Sequence, residues 1–376
     1  MYLIVLLWLF SKGFSSRWHF YVNYPLIKPI LLLILVSFVG LFYSTGSEKE
    51  CFSSFCHIAK LSFIPILAYY LQDNQNKAKK YILVVFIAAL LFTVICTFLK
   101  IYAHIPIGRR TYGYDVFKNH IVISYFMAVS LFILYVWYTE LKKYKLPIFF
   151  FMGLISYYLI FLNLGRIGYV MLFSSFIVLA WRKYQHKGIL WCSLIVSFVT
   201  VFSYYSSETF ARRITEVYNE SQLYFQGKTV SSIGARLEFM SNSVKIFLDN
   251  PIMGTGTGSF KSQYEEYYQG RVHKITNNPH NQYLNTAVEL GLIGLLFLGW
   301  LFYRQWQLTC QLKGVNLILA QSILLSFFVG CFFNSWLRNF TEGHFYYLMT
   351  AYFIPPACQM AKVRSSNLQS PKHLSI

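Results

Sequence analysis

Charge is scarce in this chain of 376 residues. Asp, Glu, Lys and Arg make up only 12% of it, and acids are the scarcer sign, 14 against 33 Lys and Arg. A soluble domain carries about a quarter charged residues, so an ordinary water-soluble globule is excluded. Signatures of several enzyme classes are missing too. No Cys-x-x-Cys pair or Cys/His spacing suits a metal, so no metal and no cofactor are expected. No glycine-rich stretch ends in Gly-Lys-Ser/Thr after a strand, which removes a nucleotide site. No Asp-x-Asp pair supports a metal-dependent nucleotide-sugar transferase, and there is no serine nucleophile elbow. Internal repeats, low-complexity blocks and a soluble second domain are absent as well.

What is present is apolar: 56% of residues are hydrophobic and 20% aromatic. Continuous runs of about 17–22 apolar residues recur, each long enough for roughly 30 Å of hydrocarbon. Their continuity argues for helices rather than the alternating strands of a barrel. The expected fold is all-α, a polytopic integral membrane protein with about 10–12 transmembrane helices. The expected spans are 26–44, 53–71, 81–102, 119–139, 146–164, 167–181, 189–205, 283–303, 315–333 and 345–360. Residues 1–10 are apolar but too short to span. They lack the basic start and small-residue cleavage site of a signal peptide, and read as the remnant of a further helix.

The net charge of +19 would suggest nucleic acid in a soluble protein. Here the plainer reading is that basic residues flank membrane helices and fix topology, so no nucleic acid is expected. Alternate connections at 12–25, 73–80, 140–145, 182–188 and 304–314, with the tail from 361, hold 16 Lys and Arg; the opposite short set holds 6. The first set is therefore assigned to the cytoplasm. That places Arg109, Arg110, Arg166, Arg236, His280, Arg338, Glu342 and His344 together on the outer face. Most of the seven cysteines sit in apolar runs (Cys96, Cys192, Cys331, Cys358) and read as core filler. Cys51 and Cys56, near an outer loop, are spaced so that a disulfide is an option.

The connection 206–282 is far longer than a simple link and should carry structure. The chain divides into N-terminal spans (1–205), this loop (206–282), C-terminal spans (283–360) and a basic tail (361–376). Residues 208–220 read as a charged helix and 231–250 as an amphipathic one capped by Ser231 or Ser232. Its apolar stripe is Ile233, Leu237, Met240, Val244 and Phe247, with Arg236 at the border of the buried side. Asn250-Pro251 should end it. Gly254, Gly256 and Gly258 follow in a turn.

The segment 277–294, NNPHNQYLNTAVELGLIG, passes from polar loop into apolar helix. His280 is either a capping or interfacial histidine or a general base; imidazole, with an ordinary pKa of about 6.5, suits proton removal from a hydroxyl. Asn281, Asn285 and Glu289 follow at i+4 spacing and line one helix face. An ionisable residue as deep as Glu289 suggests function, the alternative being a quiet pairing with a neighbouring helix. Arg166 sits in a hairpin too tight for a real loop, and a snorkelling role fits poorly on the outer side. Guanidinium groups bind phosphate oxygens in bidentate fashion and keep their charge. Arg166 and Arg236 beside a histidine therefore suggest a phosphate-bearing substrate.

With these residues in hand, the chain resembles the O-antigen ligase and O-antigen polymerase superfamily. His280-Asn281, nine residues, Gly291, two residues, Gly294 matches a ligase signature. NLGRIG (163–168) is similar to an intramembrane arginine segment of the family, with Gly165 where serine is usual. Gly234-Ala235-Arg236 and NPIMGTGTGSF resemble the loop arginine and the segment that follows it. RRTYGYDVFKNH (109–120) and NSWLRNFTEGH (334–344) resemble further outer loops, so the likeness covers roughly 103–352. The resemblance implies a multi-pass protein of the bacterial inner membrane whose long loop and active site are periplasmic. It implies transfer of a glycan from undecaprenyl pyrophosphate to a sugar hydroxyl of lipid A–core, without metal. His280, Arg236 and Arg166 would be catalytic, and Arg109, Arg110, Asn281, Glu289 and Arg338 would bind substrate. Within the superfamily the rival is a polymerase joining lipid-linked repeat units, then a protein-directed oligosaccharyltransferase. Outside it, the rival is a transporter or flippase of lipid-linked glycans, which would more often show internal repeats.

Overall fold

The computed structural model describes residues 2–72, 75–108, 116–163, 165, 167–227, 231–268 and 275–354. The chain is 79% helical and no strand occurs among the described residues. Fifteen α-helices follow in order: α1 (Tyr2–Phe10), α2 (Phe14–Val22), α3 (Ile27–Val39), α4 (Glu48–Ala59), α5 (Phe63–Gln72), α6 (Gln75–Tyr102), α7 (His120–Glu140), α8 (Lys145–Tyr157), α9 (Ile167–Ser206), α10 (Glu208–Phe225), α11 (Ser232–Asp249), α12 (Phe260–Tyr267), α13 (Gln282–Thr309), α14 (Gly314–Gly330) and α15 (Phe340–Phe353). Among the described residues six stretches are long and apolar enough to cross a bilayer: Glu48–Gln72, Tyr81–Tyr102, His120–Glu140, Lys145–Leu162, Ile167–Ser206 and Gln282–Thr309. The pair α2 and α3, bent by 85°, makes a seventh if taken as one span. The fold is thus an all-α, multi-pass membrane protein.

All ten expected spans meet helices, residues 355–360 of the last lying outside the described residues, and among the described residues six or seven rather than the expected 10–12 stand as separate crossings. Residues 167–181 and 189–205 share α9, a 40-residue element that turns at Gln185 (φ 54, ψ −137). Helices α14 and α15, of 17 and 14 residues, fall short of the roughly 20 residues of a full crossing. Hydropathy reports apolar runs and is blind to where a run bends or stops.

The core is formed where α7 packs on α9, α9 on α14, α13 on α3 and α15 on α5. Its largest fully buried side chain is Trp336, between α14 and α15. The indole lies 4.4 Å from the Tyr125 ring, centroid to centroid, and over Gly330, where a Cβ would come within 1.9 Å of it. This plug fixes the turn that carries Asn334 and Arg338.

The long connection carries α10, α11 and α12. Ser231 caps α11 as expected, its hydroxyl accepting from the Gly234 N–H at 3.0 Å, and the helix stops at Asp249, ahead of Pro251. The face of α11 is a correction. Its buried residues are Gly234, Glu238, Phe239, Asn242, Ser243 and Ile246, not the apolar stripe. Small and polar residues let α11 come close to α13, leaving Val244 exposed and the rest of the stripe half-buried. A second correction concerns Cys51 and Cys56, which are free thiols; Cys51 Sγ lies 3.3 Å from Ser44 Oγ. Both lie on α4.

Candidate active site

The site gathers at the N-terminus of α13. Asn281 is the cap: its Oδ1 accepts from Leu284 N–H at 3.0 Å and its Nδ2 donates to Phe332 O at 3.2 Å. Gln282 ties the same turn to the far strand of chain, its N–H donating to Cys331 O at 2.7 Å and its Oε1 accepting from Leu337 N–H at 3.0 Å. The polar residues that open α13 thus lock two loops together, and His280 sits between them.

His280 has φ 54, in the left-handed region. That conformation costs a non-glycine residue about 1–2 kcal/mol, and such strain concentrates at functional sites. It is held by Asn278, whose Oδ1 accepts both His280 N–H (2.9 Å) and Ser335 Oγ–H (2.7 Å). The imidazole stacks on Phe239 of α11, centroids 6.0 Å apart and planes 24° apart. Its Nδ1 lies 3.2 Å from Asn334 Oδ1. That oxygen also accepts from the Ser335 N–H at 2.9 Å, so an acceptor faces the ring and Nδ1 carries the proton. Nε2 is then the basic nitrogen, and no described residue bonds to it. Burial lowers the His280 pKa below its ordinary 6.5; the Arg236 guanidinium lowers it further, and the Asn334 hydrogen bond partly opposes both. At neutral pH the ring is uncharged and able to accept a proton.

Arg236 lies one turn before Phe239 on α11, half-buried and close enough for its charge to act on His280. Arg338 reaches the same end of α13 from the α14–α15 turn. Its Nη1 donates to Asn285 Oδ1 at 2.8 Å and to Asn277 O at 3.2 Å, and faces Glu289 Oε1 at 3.6 Å. Glu289 is buried, with Oε2 accepting from Ser54 Oγ–H at 2.6 Å. The polar stripe expected on α13 therefore holds one arginine in place rather than standing open.

Glycines explain the rest. Gly291 interrupts α13 with φ 62. In an unbroken helix Leu292 and Ile293 would donate to Val288 O and Glu289 O. Instead the loop after α11 takes both sides of the exchange. Leu292 N–H donates to Pro251 O (2.8 Å) and Ile293 N–H to Ile252 O (3.3 Å), while Thr255 and Gly256 N–H donate to Val288 O and Glu289 O at 2.8 and 3.0 Å. A Cβ on Gly254 would come within 2.6 Å of Gly291 N and Val288 O. The glycine turn is a splint for the helix break, not a phosphate loop.

The sequence-based candidates His280, Asn281, Glu289, Arg236 and Arg338 come together here. Arg166, Arg109 and Arg110 lie outside the described residues. Near Arg166, Gly165 is wedged against α7, where a Cβ would meet His120 O at 2.4 Å. Asn163 N–H donates to Tyr158 O across a π-helical turn, Tyr158–Leu162. Sequence reasoning passed over Asn334, Asn278, Phe239 and buried Glu238; the first lies in NSWLRNF, and its position opposite His280 has no local signal. Among the described residues no group of His, Cys, Asp or Glu could hold a metal ion.

Residues 148–299 match the family model for O-antigen ligase. The match takes in Arg166, Arg236, His280, Gly291 and Gly294, and ends before the turn that supplies Asn334 and Arg338. No curated protein matches the chain. Family match, membrane helices and the histidine-led α13 agree, and together they support membership of the O-antigen ligase and polymerase superfamily.

Proposed function

We propose that this protein is a membrane glycosyltransferase of the O-antigen ligase type. It moves a glycan from undecaprenyl pyrophosphate to a sugar hydroxyl of lipid A–core on the periplasmic face of the bacterial inner membrane. The observation that carries the reading is His280, with Nδ1 committed to Asn334 and a guanidinium beside it. Nε2 takes the proton from the acceptor hydroxyl as its oxygen attacks the anomeric carbon. The bond from that carbon to the pyrophosphate oxygen breaks, and its electron pair leaves with the pyrophosphate. Arg236, with Arg166 and Arg338, stabilises the developing negative charge, the usual largest contribution in such sites. Attack opposite the leaving group inverts the anomeric centre. Arg109 and Arg110, outside the described residues, are assigned a part in binding the anionic substrate. Asn281 and Glu289 act by positioning, the first by setting the helix start beneath His280 and the second by holding Arg338.

The test is lipopolysaccharide from cells lacking the protein, run beside an assay of their undecaprenyl-linked glycan. Bare core with long glycan accumulating on the carrier is the expected result. Core capped by one repeat unit would replace the ligase reading with polymerase, the acceptor then being another lipid-linked glycan. Unchanged lipopolysaccharide would overturn both. Purified protein given donor and acceptor in detergent should form product with no second compartment, which a flippase cannot do.

A further inference from the structure

A large cavity lies away from His280. It encloses about 490 Å³ between α7, the end of α8, both arms of α9 and Phe210 of α10. That is within the range of built small-molecule pockets, about 300–1,000 Å³. Its walls are almost wholly aliphatic and aromatic. From Tyr169 to Tyr184 it follows sixteen residues of α9, about 22 Å of helix, more than the ~15 Å of one hydrocarbon leaflet.

The two ends differ. At the α10 end Tyr169 and Phe210 meet edge to face, centroids 4.9 Å apart, and Tyr169 Oη donates to Leu159 O at 2.7 Å. Ser207 closes the corner on Ile160 O at 3.1 Å. Phe210 and Ser203 are 6% and 3% exposed, so this end is roofed. The bend end is open: Lys183 is exposed, and Tyr184 and Trp191 are 64% and 63% exposed. Among the described residues Lys183 is the one charged residue lining the cavity. Its neighbour Arg182, also exposed, is engaged with α14, Nε donating to Gln321 Oε1 at 2.8 Å. Exposed Tyr and Trp beside a cation are the residues of a membrane–water interface, and basic pockets between helices bind anionic lipid head groups.

We propose that this cavity binds one anionic phospholipid from the leaflet at the α9 bend, an acyl chain filling the slot and the phosphate on Lys183. The roofed end keeps the chain from running on toward α10, so the head group belongs at the bend. The binding is separate from glycan transfer and is read without it.

Purified protein is incubated in mixed micelles of phosphatidylglycerol and phosphatidylcholine with matched chains, then examined by native mass spectrometry. One phosphatidylglycerol per chain should be retained about fivefold over phosphatidylcholine, the factor that one surface lysine supplies. Lys183→Gln, at an exposed position beside the bend, should bring the ratio close to one with an unchanged unfolding midpoint. Val196→Trp, which fills the slot, should reduce retention of both lipids without lowering the unfolding midpoint. An unchanged ratio in Lys183→Gln, or unchanged retention in Val196→Trp, overturns the proposal. So does stoichiometric displacement of phosphatidylglycerol by undecaprenyl phosphate, which would make the slot a carrier site.

Discussion

Replacing His280 by alanine is expected to lower the rate of glycan transfer by about 10²–10⁴-fold, the usual contribution of a positioned base. The protein should still reach the membrane, because the helix start is capped by Asn281 and not by the imidazole. The pH profile is the sharper test. Burial and Arg236 hold the His280 pKa below 6.5. The active form is the neutral ring, so activity is retained as pH falls to 6.5 and is lost only as pH drops through the lowered pKa. Arg236→Gln removes a cation beside the ring and should move this acid limb up, whatever it does to the maximum rate. Asn334→Ala removes the hydrogen bond that favours the charged ring and should move the limb down. A histidine that only shapes the loop would give a limb that moves with neither change. Initial rates against pH with reconstituted protein decide it; full-rate transfer by His280→Ala would end the assignment.

Gly291→Ala should prevent stable folding. Two penalties coincide there. The left-handed φ costs alanine about 1–2 kcal/mol, and the new Cβ would stand 2.3 Å from Ile252 O and 2.6 Å from Gly254 N. Relieving that contact pushes the 251–256 loop away and breaks its four hydrogen bonds to α13, each worth about 1 kcal/mol net. The sum is comparable with the whole stability of many domains, about 5–15 kcal/mol. Gly299→Ala is the control in the same helix: it is helical and exposed, with nothing within 4 Å of a Cβ. It should be neutral or slightly stabilising. Unfolding midpoints in detergent would separate the pair, and Gly291→Ala melting like Gly299→Ala would refute the splint.

The parts of this fold that were legible in the sequence are those fixed locally. Ser231 before an amphipathic run and Asn250-Pro251 after a helix each act through neighbours a few residues away, and both fell where expected. The face of α11 did not. Reading apolar as buried assumes that water lies outside, whereas against lipid or at close helix contacts small and polar residues take the packed side. The site was half legible for a related reason. His280 and the i+4 stripe behind it follow from spacing alone, but Arg338 meets Glu289 and Asn334 meets His280 across about fifty residues, through a turn held by buried Trp336. The glycines of 254–258 and Gly291 were visible as motifs; that they are two halves of one joint depends on a contact no local pattern encodes.

That joint has a consequence for amide hydrogen exchange. Glycine-rich turns ordinarily exchange fast, since their N–H groups point to solvent. Here the Thr255 and Gly256 amides are bonded to carbonyls inside α13, and those of Leu292 and Ile293 are bonded to the turn. All four hydrogens can open only if loop and helix part, so they should exchange at one common slow rate. A turn that looks in sequence like the loosest stretch of the long connection would then share the protection of the helix it mends.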